Sequence, residues 1–532
     1  MSTQGSPPPA VQRARAHALG DLLRRSALRY PDKPALIAGE VRWTYRELDA
    51  TVNRTAAALR DAGVQRGDRI ALMSHNCWQF AVLNFALARL GAILVPINFM
   101  LGADETAYIL RHSGASGFIA EDGLHAVAEQ ALAQAGLDGG IRGWIALAGQ
   151  AAPAGWSQVA TWAEHPDARA PDVIVADDDP LRLMYTSGTE ARPKGVMLTS
   201  RSLISQYVSC IVDGGMESGD VELHSLPFYH CAQLDCFLGP DVYLGATSVI
   251  VSSPDPELLL STIEAERITK LFAPPTIWIS LLRCAAFDAC DLSSLRKGYY
   301  GASAMPVEVL RELRQRLPDV RLWNFYGQTE MAPLATILRP DEQVSHAGSA
   351  GRPAVNVETT LLDDDGNELG AGAIGEIVHR SPHATLGYWN DERKTAEAFR
   401  GGWFHSGDLG VFDEHGYLFI VDRKKDMIKT GGENVASLEV EQAIHLLPDV
   451  AEVAVFGIAD PKWIEAVVAA VVPKPSAALT AEAVSTHCRS VLAPYKVPKH
   501  VVILDHLPKN PSGKILKRDL RDQYSGLTLS AA

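Results

Sequence analysis

Apolar positions in this chain recur first at helical and then at strand spacing. Leu48, Val52, Ala56 and Leu59 fall on one helix face within YRELDATVNRTAAALRDAG, and Gly63 supplies a stop. A strand is expected at Arg69-Ile-Ala-Leu-Met73, a helix over residues 78–90 closed by Gly91, and a second strand at Ala92-Ile-Leu-Val95 stopped by Pro96. Together these predict a βαβ unit. The rhythm returns at 248–251, 256–266 and 268–273, and again at 297–300, 306–317 and 320–324, so a large α/β domain is expected. No repeat of solenoid period is present, and Asp363-Asp-Asp-Gly-Asn367 reads as a turn between strands.

Beyond Asp422 the pattern changes. VDRKKDMIKTGGEN is charged and glycine-rich, and short elements follow: a helix at 438–447, strands at 453–456 and 466–472, a helix at 481–491 and a strand at 501–504. A small α+β domain behind a hinge is predicted. The expected organisation is a disordered tail over 1–18, a large multi-sheet α/β domain over 19–424 and a small mobile α+β domain over 425–532.

The most apolar stretch, 80–101, has the length of a membrane span, but Asn84, Arg89, Pro96 and Asn98 interrupt it, and a buried helix and strand fit better. A net charge of −14 over 532 residues argues against nucleic acid as a partner, because tracking phosphates needs an excess of Lys and Arg. Seven cysteines without a C-x-x-C pair fit a reducing compartment and mostly buried thiols. The start MSTQGSPPPAVQRARAHALG lacks the apolar core of a signal peptide, so the cytoplasm is the expected location.

The most informative segment is Tyr185-Thr-Ser-Gly-Thr-Glu-Ala-Arg-Pro-Lys-Gly195. Hydroxyls, glycines and one lysine in a loop of low apolar content present donors to phosphate oxygens. The Walker A spacing is not met, and a flexible surface turn is the plain alternative. Six further motifs follow in order: Gly301-Ala-Ser-Ala-Met-Pro306, Tyr326-Gly-Gln-Thr-Glu330, Trp403-Phe-His-Ser-Gly-Asp408, Asp422-Arg-Lys-Lys-Asp426, Lys429-Thr-Gly-Gly-Glu-Asn434 and Pro511-Ser-Gly-Lys514. With Thr44-Tyr-Arg-Glu-Leu48 they span nearly the whole chain. This ordered set resembles the adenylate-forming superfamily of acyl-CoA synthetases, luciferases and nonribosomal peptide synthetase adenylation domains, and is most like a fatty acyl-CoA synthetase.

The resemblance implies an AMP-forming acid–thiol ligase using ATP, Mg²⁺ and coenzyme A. Thr186, Ser187, Gly188, Thr189 and Lys194 would hold the β- and γ-phosphates, where charge gathers as pyrophosphate departs. Glu330, helped by Thr186, would hold Mg²⁺, a cation bound through carboxylates and phosphates. Thr329 would contact the α-phosphate. Tyr326, Gly301, Ala302 and Asn324 would border adenine, and Asp408 and Arg423 the ribose. Lys514 would orient the carboxylate against the α-phosphate. Rotation about the hinge Lys425 would then withdraw Lys514 and bring Lys429, Gly431, Gly432, Glu433 and Asn434 to the adenylate for attack by the coenzyme A thiol. Each residue also has an ordinary reading: Glu330 as a solvated carboxylate, Tyr326 as core, Asp408 as a turn residue, the glycine pair as a turn.

The acyl pocket and its gate are expected from His230, Gln233, Thr276, Tyr300, Gln328 and Met331, which offer no evident cation partner, so a medium- or long-chain fatty acid is the expected substrate. His230 stands where amino-acid-activating members carry an aspartate, although Asp235 lies close by in sequence. An aryl acid as substrate, a carrier protein as acceptor, and a non-catalytic nucleotide-binding protein are the alternatives. The resemblance also allows a homodimer. Two departures stand out: Glu190-Ala191 replaces Thr-Gly in the phosphate loop, setting a carboxylate near a triphosphate, and Ile464 replaces a common glycine.

Overall fold

The first long helix, Tyr45–Asp61, starts where the sequence supplies a reciprocal cap. Thr44 Oγ1 accepts from Glu47 N, and the Glu47 carboxylate accepts from Thr44 N at 2.8 Å, which accounts for the Thr-Tyr-Arg-Glu pattern. The computed structural model describes residues 8–137, 139–186, 192–303, 305–475, 477–509 and 515–525. Ser187, Gly188, Thr189, Glu190, Ala191 and Lys514 therefore lie outside the described residues, and so do the expectations that rest on them.

A seven-stranded, a nine-stranded and a four-stranded sheet build the large N-terminal domain, and a five-stranded sheet the smaller C-terminal one. The Trp78–Leu90 helix is apolar nearly all round and almost wholly buried, as a helix enclosed within a core must be. Its core joins Ile70 and Leu94 of the seven-stranded sheet to Leu36 of the nine-stranded one. Among the described residues no helix is long and apolar enough to cross a membrane, and within 80–101 residues 80–97 are buried while Met100 is exposed.

Arg69–Met73 and the Trp78–Leu90 helix fall where the pattern predicts, and Gly91 ends the helix at φ +66°. The following strand is Ile93–Ile97 and does not stop at Pro96. Its parallel pairing with Arg69–Met73 continues through Leu72↔Pro96, while pairing on its other side is confined to Leu94↔Arg182, so proline there removes no second ladder bond. The strand expected at 320–324 runs as Arg321–Gly327 because Leu334–Leu338 folds back beside it. The strands expected at 453–456 and 466–472 are the longer hairpin pair Val450–Asp460 and Ile464–Pro473.

Two features of this fold bear on chemistry. Pro180–Thr186 and Lys194–Thr199 form an antiparallel pair at the edge of the seven-stranded sheet, with Thr186 directly opposite Lys194. In the nine-stranded sheet, Gly327 ends its strand where an added Cβ would sit 1.9 Å from Pro333 O, so only glycine admits the returning chain.

Candidate active site

Segment 326–330, at the end of the Arg321–Gly327 strand, is linked through its side chains to three groups of residues. Tyr326 reaches the four-stranded sheet, where its hydroxyl donates to Asp408 Oδ2 at 2.7 Å. Asp408 stands opposite Arg423 in the pairing of Phe404–Phe412 with Leu418–Arg423. Arg423 Nε lies 3.2 Å from Asp408 Oδ1 but is not aligned for a hydrogen bond, and this oxygen is buried without a hydrogen-bond partner among the described residues. A buried carboxylate oxygen left unmade is costly in a resting fold and is an acceptor ready for a ligand hydroxyl.

Thr329 is buried, and its Oγ1 lies 3.4 Å from Cys231 Sγ. Cys231 follows His230, which caps the turn after it by accepting from Ala232 N at 3.2 Å through Nδ1. Glu330 is held by Tyr388, whose hydroxyl donates to Oε1 at 2.9 Å. The Tyr388 ring carries Lys194 Nζ 4.9 Å from its centre. Backbone bonds hold this arrangement: Trp389 N donates to Gly195 O at 2.8 Å and Thr385 N to Glu330 O at 2.8 Å. Beside Lys194 opens a cavity of about 400 Å³ walled by Tyr108, His112, Arg192 and Lys394 and by Asp391, whose carboxylate stands 3.4 Å from Lys394 Nζ, so its wall carries both signs of charge.

The fit to Mg²⁺ rests on Glu330. Among the described residues Tyr388 is the only side-chain donor to its carboxylate, which leaves Oε2 free as the hard oxygen ligand this cation prefers.

The remaining expected residues divide. Gly301 and Asn324 lie on the adjacent strands Lys297–Gly301 and Arg321–Gly327, with Asn324 donating to Ser349 O at 3.0 Å, and Ala302 follows at φ +64°. The Gln328 side-chain nitrogen is buried with no partner among the described residues. Gln233 and Tyr300, expected in the acyl pocket, each have a hydrogen-bond partner inside the protein. Gln233 donates at 2.8 Å to His224 Nδ1, within a buried network of Glu222, Asp241 and Lys270. Tyr300 donates to Gln343 Oε1 at 2.7 Å. Buried amides and phenols take such partners wherever the core offers them, which spacing in sequence does not display.

Asp235 is fully buried, and its Oδ1 accepts from Arg182 Nη2 and from the Tyr207 hydroxyl, both at 3.1 Å. Lys429, Gly431, Gly432, Glu433 and Asn434 lie on the exposed Ile428–Thr430/Glu433–Val435 hairpin of the small domain. There Lys429 N donates to Glu465 Oε2 at 2.6 Å and Gly431 N to Trp463 O at 2.7 Å, bonds internal to that domain. Lys425 is exposed in the turn that follows Arg423.

Three groups escaped the sequence reading: Tyr388, Cys231 and a Trp463 ring flanked by Lys462 and Lys499, whose Nζ atoms stand 5.0 and 5.2 Å from its centre. None sits in a segment whose composition marks it as chemical.

The described family "AMP-binding enzyme" matches residues 23–389, and "AMP-binding enzyme C-terminal domain" matches 439–514. Feruloyl-CoA synthase of Amycolatopsis sp is 37% identical over 510 residues, 96% of this chain and 100% of that one. Long-chain-fatty-acid–CoA ligase FadD13 of Mycobacterium tuberculosis is 35% identical over 509 residues, 95% of this chain and 98% of that one. The crystal structure of the anthranilate CoA ligase AuaEII with anthranoyl-AMP matches with a TM-score of 0.88 at 26% identity, covering 95% of this chain and 97% of that one. The chain belongs to the AMP-binding enzyme family and is an adenylate-forming enzyme of that superfamily.

Proposed function

We propose that the protein is an acid–thiol ligase that joins an apolar carboxylic acid to AMP, releases pyrophosphate, and passes the acyl group to coenzyme A. The observation that carries this reading is the convergence on segment 326–330, where Tyr326, Thr329 and Glu330 each meet a different group. In the proposed complex the open Oδ1 of Asp408 accepts from the ribose, with Arg423 beside it, while Tyr326, Gly301, Ala302 and Asn324 border the base. Lys194, Thr186, Ser187, Gly188 and Thr189 hold the β- and γ-phosphates. Mg²⁺ held by Glu330 and Thr186 would screen the phosphate charge. Thr329 donates to the α-phosphate, and Lys514 orients the acid's carboxylate for attack. The small domain, taken as 425–532 behind the large domain 19–424, turns about Lys425, so that the 429–434 hairpin replaces Lys514 for thioester formation.

Free coenzyme A is favoured as acceptor over a carrier protein by Trp463. An indole with two flanking ammonium groups, beside the glycines of that hairpin, offers a stacking face and phosphate partners suited to a phosphorylated adenine nucleotide. The acid is proposed to be a medium- or long-chain fatty acid gated by His230 and Gln328. Pairing of Asp235 with Arg182 supports an acid without an ammonium group. A second reading, an aryl acid, is favoured by the likeness to feruloyl-CoA synthase and to the anthranilate ligase structure.

Acid-dependent pyrophosphate release from Mg-ATP, with and without coenzyme A, tests the reading across acetate, octanoate, palmitate and a cinnamic acid. Multiple turnover only with coenzyme A supports it and names the acid class. A single turnover indifferent to coenzyme A points to a carrier protein, and no release with any acid sinks the ligase assignment.

A further inference from the structure

We infer that Cys231 is a positioning residue for adenylation: its thiol donates to Thr329 Oγ1 and thereby turns the Thr329 hydroxyl proton toward the α-phosphate. This rests on the role proposed above for Thr329.

The two atoms are 3.4 Å apart, and the residues are 2% and 9% exposed. A threonine hydroxyl carries one proton and two lone pairs. If that proton went to sulfur, lone pairs would face the phosphate and repel it. Sulfur is a weak acceptor and a phosphate oxygen a strong one, so the favourable arrangement is a chain, S–H to Oγ1 and O–H to phosphate. Among the described residues no other side chain hydrogen-bonds to Thr329 Oγ1, so the thiol is the side-chain donor available to it there. The thiol's alternative acceptor, His230 Nδ1, is farther away at 3.8 Å and already accepts from Ala232 N.

The surroundings keep the sulfur protonated. Burial is the main influence and pushes the Cys231 thiol well above its ordinary range, with Asp235, Cys236 and Glu330 adding to it against the opposing Thr329 bond. A thiolate could only accept, and it would set a negative charge close to the phosphates.

The test separates the half-reactions. Adenylation is followed by acid-dependent exchange of pyrophosphate into ATP, and thioester formation by adding coenzyme A to saturating acyl adenylate. Thr329→Val and Cys231→Val are each expected to slow exchange about tenfold, the first by losing a hydrogen bond to a charged group and the second by leaving the Thr329 hydroxyl unoriented toward it. Thioester formation, in which the same α-phosphate departs as AMP, is expected to slow in the same two variants. Cys231→Ser, which keeps a donor, recovers most of the exchange rate, and the Cys231→Val/Thr329→Val double variant is no slower than Thr329→Val alone. Cys231→Ala provides the same comparison should valine not fold.

Full exchange activity in Cys231→Val and Cys231→Ala beside a slowed Thr329→Val overturns the inference and leaves the Thr329 assignment standing. Multiplying losses in the double variant also overturn it. Full activity in Thr329→Val removes the Thr329 assignment and the inference with it.

Discussion

Tyr388 donates its phenolic proton to Glu330 Oε1 at 2.9 Å, and the same ring lies under Lys194. Burial first and Glu330 second push the phenol far up from its ordinary pKa, so it remains a donor at any working pH. One side chain thus couples the phosphate-loop strand to the carboxylate proposed for Mg²⁺. Tyr388→Phe keeps the ring and removes the donor, and it is expected to weaken Mg-ATP binding about tenfold while leaving the unfolding temperature nearly unchanged. Calorimetric titration with Mg-ATP measures this, and an affinity within twofold of the parent would show that Glu330 is oriented without it.

What the sequence displayed and what it concealed follow from the reach of each signal. Hydrophobic period located the Trp78–Leu90 helix and the Arg69–Met73 strand because burial of one continuous segment suffices to define them. The segment 326–330 and Asp408 were visible as motifs of the family resemblance. The pairing of Tyr326 with Asp408, and Tyr388 altogether, were not. Tyr388 and Asp408 lie 58 and 82 residues from the atoms they hold, and such pairings come from sheet topology rather than local pattern. The internal partners of Gln233 and Tyr300 were hidden for the same reason, since spacing does not reveal what the core brings beside them.

Lys462 and Lys499 converge on Trp463, and Lys499 is pushed below the ordinary lysine range by burial and then by Lys462. Like charges held together this way gain from an arriving phosphate. Replacing both with alanine is expected to raise the KM for coenzyme A about tenfold, while pyrophosphate exchange in its absence keeps its rate. Pantetheine, which lacks the nucleotide, should be used equally by the variant and the parent. An unchanged KM would remove the nucleotide from this surface.

His383 is buried as a neutral ring, its Nδ1 paired with Leu334 O at 2.9 Å and its Nε2 with Ser209 Oγ at 3.0 Å. Burial pushes its pKa down to about 4, against an unfolded value of about 6.5. The unfolded chain therefore binds the extra proton between these values. The stabilisation is complete above the unfolded value and falls as pH drops toward the folded one, by up to about 1.4 kcal/mol per unit. His379, pushed down to about 3 by burial, adds to the same limb. Urea unfolding at pH 7.5, 6 and 5 should show this loss, with a shallower slope in His383→Gln. Equal slopes in variant and parent would place the acid sensitivity elsewhere.

Ile464 begins the Ile464–Pro473 strand at φ +71°, a left-handed conformation that a β-branched residue adopts at a cost of roughly 1–2 kcal/mol. Its side chain is 66% exposed, so little burial offsets that cost. The backbone is held there by its neighbours: Trp463 N donates to Asp460 Oδ1 at 2.9 Å, and Gly431 N donates to Trp463 O. Ile464→Gly removes the steric cost but makes the unfolded chain freer, so a net gain of about 0.5–1 kcal/mol is expected. Ile464→Asn should gain a similar amount without that entropic loss, because asparagine tolerates this region. Both are read by chemical unfolding followed through a signal from the small domain. A loss of stability in both would mean that the isoleucine side chain makes contacts worth more than the backbone strain it imposes.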